Sequence, residues 1–433
     1  MTKKIIFIVC SILCIGQTKA QYTSIPDTCF ESILVSQNID SDNTVNGQIL
    51  TSDINTITTL DISSDFHTCG VSDIIGIEDF TLLEILFVND ANLSSIDMSN
   101  NLQLKRLYCK NNVITQVTIS QNNLLERLDC RDNNINTLDV SQNLNLKRLN
   151  VRNNNLTNLN INLNSQLEIL HCEINQLNTL DVSHNINLFS LGINDNQITS
   201  INVNNLNQIK YFTLVNNNIN SINIDNNTLI EWFWIINNQI TSLNLNQNHQ
   251  LSSFWCQDNS LTELNLSQNL LLDELNCSNN QLSTLNVQNG ANSLLTGAYL
   301  NAPFGYEDRF KADNNPNLSC ILVDDAPYST TNWLSIDATS TFVENQTACD
   351  ALSLTDEELK GFSLFPNPSN NSFSIQSDFT IKSIEIHSVL GSLVKYFNTQ
   401  HNNYTINELS AGMYVVKINT QANGSFMRKL LKE

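Results

Sequence analysis

Basic residues are scarce in this chain: 21 Lys and Arg stand against 42 Asp and Glu, a formal net charge of −21. Such a surface repels phosphate, so no nucleic acid is expected as a partner. Long apolar runs are missing too. Beyond residue 20 no stretch stays apolar for the roughly 18 residues a spanning helix requires, so no membrane span is expected in the mature chain. The histidines (His67, His171, His184, His249, His387, His401) are scattered, with no nucleophile elbow, zinc spacing or phosphate loop around them. The chain is therefore read as a non-enzyme with no cofactor and no metal. With 15% charged and 41% hydrophobic residues it is an ordered chain rather than a disordered acidic one.

What is present begins with a processing signal. Lys3 and Lys4 precede an apolar run from Ile5 to Ile15, and Thr18-Lys19-Ala20 places small side chains before Gln21. That pattern is expected to be a signal peptide over residues 1–20, which delivers the mature chain to an oxidising compartment. Nine of the 11 cysteines survive its removal. Cys109, Cys130, Cys172, Cys256 and Cys277 are separated by 21, 42, 84 and 21 residues, and Cys29, Cys69, Cys320 and Cys349 stand outside that rhythm.

The same period organises half the chain. Leu86, Leu107, Leu128, Leu149, Leu170, Leu191, Phe212, Phe233, Phe254 and Leu275 are each 21 apart, giving ten units. Counting from each anchor, position +2 is Cys or aliphatic, +5 is Asn in nine of the ten, +7, +10 and +12 are aliphatic, and +15 is usually Asn. A unit this small cannot bury its own apolar face, so neighbours must stack into a solenoid. Each half-unit is expected to supply a short strand and a turn, with the Asn side chains satisfying interior backbone groups. Val88, Val151, Ile193, Leu214 and Ile235 share position +2 with the cysteines, which marks the thiols as small hydrophobes rather than metal ligands. His171 points to the face opposite its neighbour Cys172, so the two cannot share a metal.

Leu125-x-x-Leu128-x-Cys130-x-x-Asn133-x-Ile135 matches the leucine-rich repeat pattern. The chain resembles the 21-residue bacterial leucine-rich repeats with a cysteine ladder found in internalin J-like adhesins, over roughly residues 50–322. The resemblance implies a mainly β solenoid of about ten units with capped ends. Residues 21–85, with eleven acids and no Lys or Arg, form the N-terminal cap, and "ITTLDIS" at 57–63 is already half a repeat. Asp40-Ser41-Asp42 with Gly47 does not fit a calcium loop: the glycine comes two places late and no Glu stands at the twelfth position. The solenoid itself spans 86–292. Phe310 lies 35 residues past Leu275, or 21 plus a 14-residue insertion, and "NNPNLSCILVDDAPYSTTNW" resembles the cap that closes such arrays in Bacteroidetes-type secreted proteins. Residues 293–350 are assigned to that insertion and cap. Cys29–Cys69 and Cys320–Cys349 are expected as disulfides within their own caps, each contributing roughly 3–4 kcal/mol.

After a linker at 351–360 the composition changes to short alternating strands broken by Pro, Asn and Gly. FPNP at 365–368, Gly391, the Leu409–Tyr414 stretch and Lys429 resemble the C-terminal sorting domain of the type IX secretion system. The resemblance implies that residues 361–433 form a small β-sandwich that addresses the protein to the secretion machinery, for release or attachment at the cell surface. Few contacts are expected to cross the linker.

On the strand that carries the anchors, positions −1, +1 and +3 face outward. Arg106, Arg127 and Arg148 stand at −1, Tyr108 at +1, and Lys110, Arg131 and Arg152 at +3; with Lys105 and Lys147, eight of the 21 basic residues fall between 105 and 152. Stacked like charges repel, which points to an anion-binding surface, unless Asp129, Glu126 and Asp132 neutralise it. Further along the same face come Tyr211, Trp232, Trp234 and Trp255, residue types suited to sugar stacking or protein contacts. The function expected is a secreted or surface binding protein for a protein or polysaccharide ligand, an anionic one included, and an adhesin by analogy. The alternative is a structural envelope component without a specific ligand.

Overall fold

The structure, a computed structural model, describes residues 21–63, 69–301, 305–353, 362–377, 380–398, 403–420 and 425–433. The signal segment at 1–20, His67, His401 and residues 354–360 of the linker lie outside them.

Three-residue strands centred on each anchor pair side by side into a 12-stranded parallel sheet. Its interior is in strict register: Leu107 sits beside Leu128, Leu128 beside Leu149 and Phe233 beside Phe254. The two strands beyond the ten units are Thr59–Asp61, where Leu60 pairs with Leu86, and Phe310–Lys311, where Phe310 pairs with Leu275. The inserted residues before Phe310 fold as an antiparallel hairpin, Ala298–Asn301 with Gly305–Asp308.

The second half of each unit departs from the two-strand expectation. Strands form there only at Ser95–Asp97, Gln116–Thr118, Glu263–Asn265 and Thr284–Asn286. Between 137 and 245 this half has no strand, although Leu138, Val140, Leu159 and Ile161 remain buried. Interior packing holds it together with single backbone hydrogen bonds between turns, such as the Asn155 N–H to the Ile135 carbonyl at 2.9 Å, and the bonds made by the asparagine side chains.

Those asparagines form two buried columns. Asn154 donates to the carbonyls of Cys130 (3.0 Å), Val151 (3.1 Å) and Arg152 (3.3 Å), and its Oδ1 accepts from the Ile135 N–H at 3.0 Å. Asn143, in the other column, donates to the Ile119 and Asn122 carbonyls at 3.0 and 2.9 Å. Each side chain thus ties its own turn to the one before it, satisfying groups that water cannot reach. At position +4 the backbone turns through the left-handed region, with φ between 51° and 58° from Asp90 to Asn279. Nine of those ten residues are Asn or Asp, the types that tolerate it; the exception is Ile174 at φ 53°.

Both ends are covered. At the N-terminal end the helix Thr28–Ser36 is capped by Asp27, whose Oδ1 accepts from the Phe30 N–H at 2.8 Å. Glu31 on that helix is wholly buried and accepts from the N–H groups of Asn46, Gly47 and Gln48. At the other end Cys320–Leu322 and Thr341–Val343 extend the second sheet, and Trp333 stacks on Phe310 at 4.1 Å. The disulfides are Cys29–Cys69 and Cys320–Cys349, with Cα atoms 5.8 and 5.4 Å apart.

The C-terminal region forms two antiparallel sheets of three and four strands. They enclose their own core of Phe373, Ile384, Ile386, Tyr404, Val416, Ile418 and Leu430. The cap helix Gln346–Ser353 runs into the segment assigned to the linker. Leu390 packs against the solenoid core, and a side chain at Gly391 would collide with Asn345, so this turn meets the C-terminal cap directly.

Candidate ligand-binding face

Because side chains alternate across a strand, burying the anchor column turns its neighbours to the other face. Parallel pairing then converts the 21-residue spacing into straight columns. Arg106 lies beside Arg127 and Arg127 beside Arg148, so three guanidiniums occupy adjacent strands. With Glu126, Lys147 and Glu168 they line a groove of about 400 Å³.

Ion pairing sorts the basic residues into two groups. Lys105 pairs with Glu84 at 2.8 Å, Lys147 with Glu126 at 3.3 Å and Lys110 with Asp90 at 3.4 Å. Arg131 lies 3.8 Å from Asp129 and 3.9 Å from Asp132. The neutralisation foreseen for Glu126, Asp129 and Asp132 therefore reaches Lys147 and Arg131. It does not reach the central column: among the described residues Arg106, Arg127 and Arg148 have no ion-pair partner within 4 Å, and Arg127 lies instead over the Tyr108 ring at 4.9 Å. Arg152, in the +3 column, is exposed.

The aromatic end is less open than the sequence implied. Trp232 is 46% exposed, Tyr211 and Trp234 are half-buried, and Trp255 is buried at 6%. The rings form one chain: Tyr211 edge-on to Trp232 at 5.1 Å, Trp232 parallel to Trp234 at 6.0 Å, and Trp234 stacked on Trp255 at 4.8 Å. Trp234 donates its indole N–H to Ser253 Oγ at 3.0 Å, and Ser253 donates to Glu274 at 2.8 Å. Three strand steps, roughly 14 Å at standard spacing, separate Arg148 from Tyr211.

Between the two patches lies a group that sequence reasoning passed over. Glu173 occupies the +3 position that is basic in the three preceding units, and its carboxyl folds over Gly192 on the next strand. One carboxyl oxygen is buried with no hydrogen-bond partner. Burial pushes its pKa from 4.5 up to about 7, with nearby Asp195 adding to the rise against Arg152. Burial also holds His171 below its usual value and raises Asp129. The sequence signal was available: Glu173, Ile174 and Gly192 each break the pattern of their column.

The ladder cysteines are all buried with free thiols, and burial raises the pKa of each. Among the described residues no cluster of His, Cys, Asp or Glu could hold a metal ion. None of their helices is long and apolar enough to cross a membrane.

The parallel ladder, its buried asparagine and cysteine columns and its closed ends define a leucine-rich repeat solenoid of 12 turns. Residues 363–433 match the secretion system C-terminal sorting domain, so the chain carries the type IX export signal that sends proteins to the cell surface or the medium. The functional domain of InlJ from Listeria monocytogenes, which includes a cysteine ladder, superposes with a TM-score of 0.60 at 20% identity, over 96% of this chain and all of that one. The internalin InlF of Listeria monocytogenes gives 0.56 at 24% identity, over 76% and 88% of the two chains. The plant peptide hormone receptor RGFR1, solved in complex with RGF2, gives 0.53 at 16% identity, over 68% and 53%. A sequence search of curated proteins returns no match.

Proposed function

We propose that this chain is an exported, non-enzymatic binding protein that holds an anionic partner on the outward face of its strand ladder, at Arg106, Arg127 and Arg148. Tyr108, Lys110, Arg131 and Arg152 border that site, and Tyr211, Trp232 and Trp234 extend it. One observation carries the reading: three arginines are stacked in register without counter-ions, while the flanking lysines each have one. Unit charges on strands about 4.8 Å apart repel by roughly 1 kcal/mol per pair even in water. Folding gains nothing from that arrangement, whereas a bound anion relieves it. The rigid parallel sheet keeps the guanidiniums together before the partner arrives, which reduces the ordering cost of binding.

The test replaces all three arginines with Ser and measures binding of poly-L-glutamate by calorimetry at about 50 and about 200 mM salt. The wild-type chain should bind with a steep salt dependence. The variant should melt no lower, bind about tenfold or more weakly, and lose most of the salt slope. Unchanged binding, or an unfolded variant, would overturn the assignment.

A further inference from the structure

The arginine column is bordered by a second feature of opposite chemistry. On the turns that lead into the strands, Leu82, Leu102, Leu124 and Leu144 are 47%, 53%, 40% and 54% exposed. They stand on four successive turns; Ser165 and Gln166 interrupt the row, and Ile186, Leu229, Leu270 and Leu271 fill the same turn positions further along the solenoid. Leu102, Leu124 and Leu144 precede Arg106, Arg127 and Arg148 by four, three and four residues, so the two strips are at most about 14 Å apart along the chain. Both fit well inside a partner footprint of about 800 Å².

The fold does not call for these leucines. Asn123, Asn145, Ser165 and Asn207 fill the same two turn positions in other units and are likewise exposed. The turn closes identically around either kind of residue: the Leu104 N–H reaches the Asn101 carbonyl at 3.0 Å past Leu102, and the Leu167 N–H reaches the Asn164 carbonyl at 3.1 Å past Ser165 and Gln166. Apolar surface left in water without a structural return marks a contact site.

We propose that the partner of the arginine groove is a polypeptide segment bearing both carboxylates and aliphatic side chains, its acids on the arginine column and its apolar groups on the leucine ridge. The inference rests on the arginine assignment and narrows it. An anionic polysaccharide offers nothing to the leucines. A flat anionic lipid surface would meet Glu126 and Glu168, which line the groove beside the arginines; a single extended segment can run between them.

The experiment uses the mature full chain and two synthetic peptides of equal charge, one acidic with interspersed leucines and the other with every leucine replaced by Ser. Phosphatidylglycerol vesicles serve as a third probe. The wild-type chain should prefer the leucine peptide about tenfold. The combined variant Leu102→Asn, Leu124→Asn, Leu144→Asn should lose that preference while binding the Ser peptide as before. No preference in the wild type, or a preference that survives in the variant, removes the ridge from the site and leaves the arginines in place. Stronger capture by vesicles than by peptide makes the occupant a lipid surface and overturns the proposal. Binding of neither peptide refutes the arginine assignment itself, and this inference falls with it.

Discussion

Replacing Glu173 with Gln removes a charge from a place where the fold has little use for one. The carboxyl lies over Gly192, largely buried, with one oxygen lacking a partner. Its folded pKa of about 7 lies above the 4.5 of a free glutamate, with burial as the main cause. Between those values the folded chain keeps a proton that the unfolded chain has released, so stability falls as pH rises from 4.5 to 7. The penalty is complete above pH 7 and absent below 4.5. Such a difference corresponds to about 3 kcal/mol at full ionisation, which the partly open edge of the site reduces to about 2. Glu173→Gln keeps the shape and should therefore stabilise the chain by about 2 kcal/mol at pH 8 and not at all at pH 4. Chemical denaturation of both proteins at the two pH values measures this, because every other titration cancels in the difference. A variant less stable at pH 8, or one whose advantage is the same at both values, would refute the reasoning.

Three further outcomes follow from the columns. Ile174→Asn should stabilise the chain by about 1–2 kcal/mol, since a β-branched residue at φ 53° gives way to one that tolerates the left-handed region. It would also supply the amide missing from a ladder in which Asn153 donates to Asp132 at 2.9 Å and Asn216 to Asp195 at 2.6 Å; an unchanged or lower melting temperature counts against this. Asn154→Ala should cost about 3–4 kcal/mol by orphaning the Ile135 N–H and the Cys130 and Val151 carbonyls. Asn145→Ala on the exposed turn of the same unit should cost under about 0.5 kcal/mol, and equal losses in a melt would show that burial is not the cause. Cys109, Cys130, Cys172, Cys256 and Cys277 should resist alkylation until denaturant is added, because they are buried and their thiols are held neutral; labelling of the native chain, read by mass spectrometry, would contradict this.

A period of 21 residues with Leu or Phe at one position and Asn at two others leaves the backbone a single solution, so the solenoid, its register and the return to Phe310 could be read directly from the residues. The cap disulfides were expected because, of the four cysteines outside the period, Cys29 and Cys69 fall in one expected cap and Cys320 and Cys349 in the other. The columns of the outward face also follow from alternation along a strand, which put Arg106, Arg127 and Arg148 in line. Tertiary structure decided what periodicity does not encode. Whether the second half-units pair as strands depends on how closely successive turns approach there, and the repeat pattern, the same in paired and unpaired units, does not encode it. Which charges stay free depends on side-chain reach: Glu84 and Glu126 take the lysines, and the arginines beside them go without. Burial on the outward face depends on neighbouring side chains and not on the pattern, so Trp255 is covered while Trp232 is open. The sequence marks Glu173 and Gly192 as breaks in their columns, but that the carboxyl folds into the space over Gly192 and is buried there depends on side-chain packing across the sheet.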